Sequence, residues 1–324
     1  MPYGGFFDRK RAFYYFISFV LLTFVKNVSK INIRDSITEI FMKKIFGKLV
    51  NVVAAVMLAV AVFSFAGCED IKRAQFEFKV YDASESKYYA ASDVTLDVEF
   101  YRHLAPKTVD SVLDKINAKY YDGAIFYVDT AYSNQIMVGD LKYEDGKVVQ
   151  NLINGKNPAE IYGEFEYNGT SGSNLKSEKG SIGVWRSWYA SNTNDYKTNN
   201  AMDTGRATLY IPTSSISGYD GYFCVVAKFD ASSEALSAIK AVFDSAATYT
   251  EYVIYYTGTY DADKKDDNYG LTFKAVRADD FDENEIDDLF EAEGDQLVCY
   301  NKKTVKIPVV GGEVYAEITS AKVR

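Results

Sequence analysis

The sequence predicts a mainly β protein, a closed or nearly closed β-barrel with two flanking helices. Three observations predict it. Short segments alternate apolar with polar residues, the period-2 pattern of a half-buried strand, and Gly, Asn and Ser clusters separate them. Tyr, which suits strands, occurs 27 times in 324 residues, whereas Pro occurs 5 times. Two stretches carry apolar residues at helical spacing, Val109, Val112, Leu113 and Ile116 in one and Leu236, Ile239 and Val242 in the other. Many short strands with helices at the edges point to a closed sheet.

Composition narrows the function. With 48% hydrophobic and 25% charged residues the chain holds enough apolar material for a core, which excludes a disordered protein. A formal charge of −9 argues against nucleic acid as the main partner. The single histidine, His103, excludes a histidine metal cage or a two-histidine mechanism within one chain, and no metal site or other cofactor is expected. Three scattered cysteines, Cys68, Cys224 and Cys299, exclude a disulfide scaffold and a CxxC zinc site. Cys224 and Cys299 read as packing residues, with a disulfide between them the alternative.

The N-terminal part of the chain reads as an export signal. Met42-Lys43-Lys44 opens a basic stretch, Val52 to Phe63 is a 12-residue apolar run, and Phe65-Ala66-Gly67-Cys68 ends it with small residues before a cysteine. The run is short against the roughly 20 residues of a membrane-spanning helix. Residues 42–67 resemble a bacterial lipoprotein signal, which implies lipidation at Cys68 and an extracytoplasmic protein lipid-anchored to the cell membrane. Residues 1–41 carry a second apolar stretch, Phe13 to Val25, and read as an upstream mis-start or an extra N-terminal segment.

Within the exported part, residues 68–91 are expected as a tether, with Phe76 to Val80 either a strand or part of that tether, and residues 92–324 as one domain. Val94 to Phe100 alternates over seven residues and predicts a strand. Ala105-Pro106 suits a helix start, and the helix ends before Tyr120-Tyr121-Asp122-Gly123, a tight turn. Strands follow at Ala124 to Val128, Ile136 to Val138, Ser181 to Trp185, Ala207 to Ile211 and Tyr222 to Phe229, and a helix at Ser233 to Val242.

These residues resemble a known family. Leu104-Ala105-Pro106-Lys107-Thr108-Val109, then Tyr120-Tyr121-Asp122-Gly123-Ala124-Ile125-Phe126, are similar to the helix start and the turn with strand of the cyclophilins. Gly139-Asp140, Gly163-Glu164-Phe165, Gly180 to Val184, Asp220-Gly221-Tyr222 and Ile307 to Val323 follow in the family's order. The resemblance covers about residues 94–243 and 305–323. It implies a cyclophilin-like closed barrel and peptidyl-prolyl cis-trans isomerase activity, which lowers a rotational barrier of about 18–20 kcal/mol. An apolar pocket for the proline ring and a hydrogen-bond donor for the twisted amide are what such catalysis needs.

The pocket positions implied by the resemblance have changed. The family's donor arginine falls on Val128, its neighbouring histidine on Tyr127, and Asp129 is no donor when ionised. Pocket positions fall on Asn134, Gln135, Met137, Thr208, Tyr210, Gly218, Tyr219 and Phe223. Of these, Val128, Gln135, Met137, Thr208, Tyr210, Tyr219 and Phe223, with Trp185, are the expected substrate-binding set. Arg186 borders the pocket and is the candidate catalytic donor, with Arg206 a second choice. Trp185 and Trp188 either close the pocket or form an aromatic platform for a peptide. His103 has no serine or cysteine partner in sight and reads as a surface residue.

Residues 245–303 fall outside the resemblance and read as an insertion. Thr248 to Tyr260 and Leu271 to Val276 predict a hairpin, and Asp279 to Asp295 an acidic helix with Ile286, Leu289 and Phe290 on one stripe. Asp280, Asp282, Asn284, Ile286, Asp288 and Glu291 match the spacing of an EF-hand loop, but Glu285 stands where that loop needs Gly and Asp287 where it is apolar, so a solvated helix is the reading. The expected function is a cyclophilin-type isomerase acting on proline-containing segments of exported or surface proteins. The alternative is an inactive peptide- or protein-binding module, or a structural subunit of an envelope complex. An open groove with an arginine aimed into it would favour the first, and a packed Trp185 the others.

Overall fold

A computed structural model describes residues 70–161, 163–165, 175–186, 205–259, 261, 263–264, 270–283 and 300–324. The strands are β1 (Ile71–Asp82), β2 (Lys87–Tyr88), β3 (Thr95–Tyr101), β4 (Ala124–Asp129), β5 (Gln135–Glu144), β6 (Lys147–Gln150), β7 (Ser181–Val184), β8 (Leu209–Pro212), β9 (Cys224–Lys228), β10 (Thr250–Thr257), β11 (Thr272–Arg277), β12 (Tyr300–Ile307), β13 (Val309–Val310), β14 (Glu313–Val314) and β15 (Ala316–Val323). Helix α1 spans Pro106–Asn117 and α2 spans Glu234–Asp244.

Eight of these strands close a ring by antiparallel pairing in the order β4-β15-β1-β3-β9-β7-β8-β5, and the β4–β5 ladder joins the ends. The expected closed barrel with two helices is therefore the fold. Alternation along each strand sends one set of side chains inward. Phe76, Phe78 and Val80 from β1, Leu96, Val98 and Phe100 from β3, and Phe126 and Val128 from β4 meet in one buried cluster. Both helices contribute to it through the residues that gave the helical spacing, Val109, Val112 and Ile116 from α1 and Leu236, Ile239 and Val242 from α2.

Two strands correct the sequence reading. The tether expected at residues 68–91 contains β1, whose twelve residues pair with both β15 and β3, so the barrel begins at Ile71. The insertion gives the expected β10–β11 hairpin and a third strand besides, β12, which pairs with β10 and then with β4 through Val305↔Asp129 and Lys306↔Val128. The acidic helix lies outside the described residues beyond Glu283.

Strand β4 thus carries two sheets. One continues into the barrel, and the other runs β6-β5-β4-β12-β10-β11. The second sheet has its own core, formed by side chains of the opposite parity: Ile125, Leu141, Val148, Ile254, Val305 and Ile307. All six residues of β4 are buried.

Helix α1 starts without a side-chain cap from its own flank, since Ala105 stands at that position. Glu164, distant in the chain, replaces it. Its buried Oε2 accepts the Thr108 N–H at 2.7 Å and the Thr108 hydroxyl at 2.9 Å, satisfying a donor that the first helical turn leaves open. Glu164→Ala is expected to destabilise the fold by about 1–3 kcal/mol, the cost of a buried unpaired donor, and Glu164→Gln by less, in urea unfolding. Equal stability of all three proteins would refute this role.

Candidate functional site

The expected binding residues divide between the two sides of the barrel wall. Val128 is 6% exposed and belongs to the barrel interior, beside Phe126, Ile136 and Val138. It therefore lies in the core and lines no groove. Tyr127, one residue earlier, points to the other cluster with Met137, Tyr210, Tyr219 and Phe223, against which Trp185 packs. Thr208 is buried, and its carbonyl accepts the Trp185 backbone N–H at 2.8 Å. Asn134 and Gly218 are exposed.

Tyr210, Tyr219, Phe223 and Trp185 form a packed set of rings. Trp185 lies nearly parallel to Phe223, with centroids 5.1 Å apart and planes at 26°. Tyr219 approaches Phe223 at 4.4 Å and Tyr210 at 5.6 Å. Such pairs each contribute about 0.5–1.5 kcal/mol beyond the area they bury. Tyr132, a residue sequence reasoning missed, extends the set at 5.7 Å from Trp185 and is 37% exposed. The solvent edge of the cluster is thus the Tyr132–Trp185 pair, with Trp185 half-buried.

A glycine makes room for this packing. A Cβ on Gly183 of β7 would lie 2.2 Å from the Tyr210 ring, so the ring rests directly on the backbone of the neighbouring strand. The buried Tyr210 hydroxyl is within 2.8 Å of Ser177 Oγ, which keeps it hydrogen-bonded. Glycine inside a strand is the sequence signal for such a close approach.

Arg186, the candidate donor, is 3% exposed. Its Nε donates to the Tyr222 carbonyl at 2.6 Å, and its guanidinium carbon lies 4.9 Å from the Phe165 ring centre and 5.1 Å from that of Phe223. A cation between two ring faces gains about 2 kcal/mol or more when desolvated. Burial also favours the neutral form and lowers the Arg186 pKa to about 10. Arg206 is held by Glu160 at 3.2 Å.

Beneath the rings lies a polar group. Gln135 is fully buried, and its amide N and O make no hydrogen bond of ordinary geometry, although the Tyr219 hydroxyl is nearby. Burial raises the Tyr219 phenol above its ordinary pKa. Tyr127 donates to Asp140 Oδ2 at 3.0 Å and stands under Lys303 Nζ at 4.9 Å from its ring centre, and burial followed by the Asp140 charge holds its phenol well above the usual range. Asp129 accepts the Ala131 N–H at 2.9 Å, so it serves the turn after β4.

Other sequence candidates fall away from this cluster. Cys224 carries a free thiol inside the barrel, pushed up to about 12 mainly by burial. His103 is exposed, its ring 6.1 Å from Tyr101. Cys68, Trp188, Cys299 and the EF-hand-like positions from Asn284 onward lie outside the described residues.

No protein-family model matches the chain, and no curated protein matches it. Among solved structures it is similar to a cyclophilin type peptidyl-prolyl cis-trans isomerase of Cryptosporidium parvum, solved in the presence of the dipeptide Ala-Pro, at 17% identity and a TM-score of 0.33, over 52% of this chain and 84% of that one. A second structure of that isomerase gives 17% identity and a TM-score of 0.32 over the same shares.

Gly183→Ala is expected to push Tyr210 off β7 and loosen the ring cluster, at a cost of about 1–3 kcal/mol in urea unfolding with a red shift of tryptophan emission. Unchanged stability and emission would show that the rings do not depend on this close approach.

Proposed function

We propose that this chain is a divergent cyclophilin-like barrel that binds a peptide segment of an exported or surface protein without isomerising it. One observation carries the reading: Trp185 lies flat on Phe223 within a packed set of rings, while Arg186 is held between Phe165 and Phe223 with its Nε on Tyr222. Isomerisation needs an apolar pocket open to the ring and a donor poised at the twisting amide. Here the rings occupy one another and the guanidinium is engaged by the protein. The Tyr132–Trp185 edge is the aromatic surface left for a partner, and proline-containing segments suit it because a proline ring stacks on an aromatic face.

The signal-like sequence ending at Cys68 supports a location outside the cytoplasm, with a lipid at Cys68 as the membrane attachment. The acidic composition supports a protein partner over nucleic acid.

Proline cis-trans exchange of a short Ala-Pro peptide, followed by NMR with and without the protein, tests this. The expected result is an unchanged exchange rate, with protein signals shifting at Tyr132 and Trp185. Accelerated exchange would overturn the reading, and its loss in a folded Arg186→Ala variant would establish an isomerase that uses this arginine.

A further inference from the structure

Helix α1 carries a lysine on its buried side. Lys115 is 7% exposed, whereas a lysine on a helix surface ordinarily keeps its charged end in water. Among the described residues its side chain bonds to one residue, with Nζ 2.6 Å from Ser111 Oγ and 3.2 Å from the Ser111 carbonyl oxygen. No carboxylate among the described residues pairs with it. A serine inside a helix ordinarily turns its hydroxyl to solvent or to the carbonyl four residues earlier, so its close approach to Nζ is a particular arrangement.

The pair is better served by an amine than by an ammonium. Burial penalises the charged form, and without a carboxylate nothing nearby offsets that cost. In the neutral form the Ser111 carbonyl still takes one N–H, while the nitrogen lone pair accepts the Ser111 O–H. Burial lowers the Lys115 pKa to about 8, against a smaller opposing effect of the Asp114 charge. Ionisable groups that other elements bring to α1 are engaged elsewhere. Arg102, after β3, holds Asp110, and Asp122 accepts the Ala321 N–H of β15. Glu164 and Cys224 of β9 sit at Thr108, about two turns from Lys115.

We propose that Ser111 and Lys115 form a serine–lysine pair in which the neutral amine removes the Ser111 proton and Oγ attacks the carbonyl carbon of an activated ester. Ser111 is half-buried, and its neighbours on the helix, Lys107 and Asp114, are exposed, so the hydroxyl lies at the margin between core and solvent. The base stays in the dry side of that margin and the nucleophile on the wet side. As the bond from Oγ to the acyl carbon forms, the bond from that carbon to the leaving oxygen breaks. Nζ takes the Oγ proton and passes it to the departing oxygen, which leaves a neutral amine and an acyl ester on Ser111. The substrate class is an ester with a good leaving group, such as an aryl ester. This pair is separate from the ring cluster.

The test treats the full chain with p-nitrophenyl acetate and maps acetylated residues by mass spectrometry of peptides. Acetyl should appear on Ser111, at a rate that rises about tenfold per pH unit and levels near pH 8, where Lys115 becomes neutral. Lys115→Arg, which stays charged, should slow it at least tenfold and leave acetylation of exposed lysines unchanged. Lys115→Met, with an unbranched apolar side chain, should do the same in a protein whose spectrum shows the native fold. Three results would each overturn the proposal: a Ser111 rate as low in the unaltered protein as in Lys115→Arg, acetyl on Lys115 in place of Ser111, or a rate that still climbs tenfold per unit from about pH 8 to pH 10. The last two need only the unaltered protein, so they decide the matter even where a variant fails to fold.

Discussion

Strand β4 has no solvent face, and the rest of the molecule is arranged around that constraint. Six consecutive residues, Ala124 to Asp129, are buried, so both faces and both edges of the strand need partners. One edge pairs with β5. The other pairs with β15 at Ile125 and with β12 at Val128 and Asp129, so a single strand closes the barrel and begins a second sheet. Parity does the rest: Phe126 and Val128 enter the barrel, while Ile125 and Tyr127 enter the second core.

That division separates residues that build the barrel from residues that pack on the outside of its wall. Residues that close the ring or cap its helices serve a packing requirement. Residues on the opposite side of the wall answer to whatever now covers them. The inserted strands bring Ile254, Val305 and Ile307 against Tyr127, and the rings of Trp185, Tyr210, Tyr219 and Phe223 pack beside them in the same cluster. Valine at position 128 fits this account, since its side chain contributes to the barrel core, and a charge there would be buried.

The sequence made the barrel legible where alternation or helical spacing was clean. Val94 to Phe100 and the four apolar residues of α1 are such cases. It left β1 open between strand and tether, because Arg73, Gln75, Glu77 and Lys79 alternate with the buried residues and give the segment the look of a solvated tether. It hid β12 in a similar way, with Lys302, Lys303 and Lys306 masking a strand that buries Val305 and Ile307. The ring cluster was half legible: the members were expected as pocket residues, but their mutual packing depends on which strand lies beside Gly183, and that neighbour is set by the sheet topology. The place of Arg186 was not legible at all, since it is set by Phe165 and Phe223, which come from distant parts of the chain.

The central claim is that the Trp185, Phe223 and Tyr219 rings pack on one another and stay packed when a proline peptide is offered. The most direct measurement is of nuclear Overhauser effects between the Trp185 ring and the Phe223 and Tyr219 rings, recorded on the protein alone and with a saturating Ala-Pro peptide. The account predicts the same effects, at the same intensity, in both samples. If adding peptide abolished them and produced new ones between Trp185 and the proline ring, the account would be contradicted, because the rings would then be a gate over an accessible pocket.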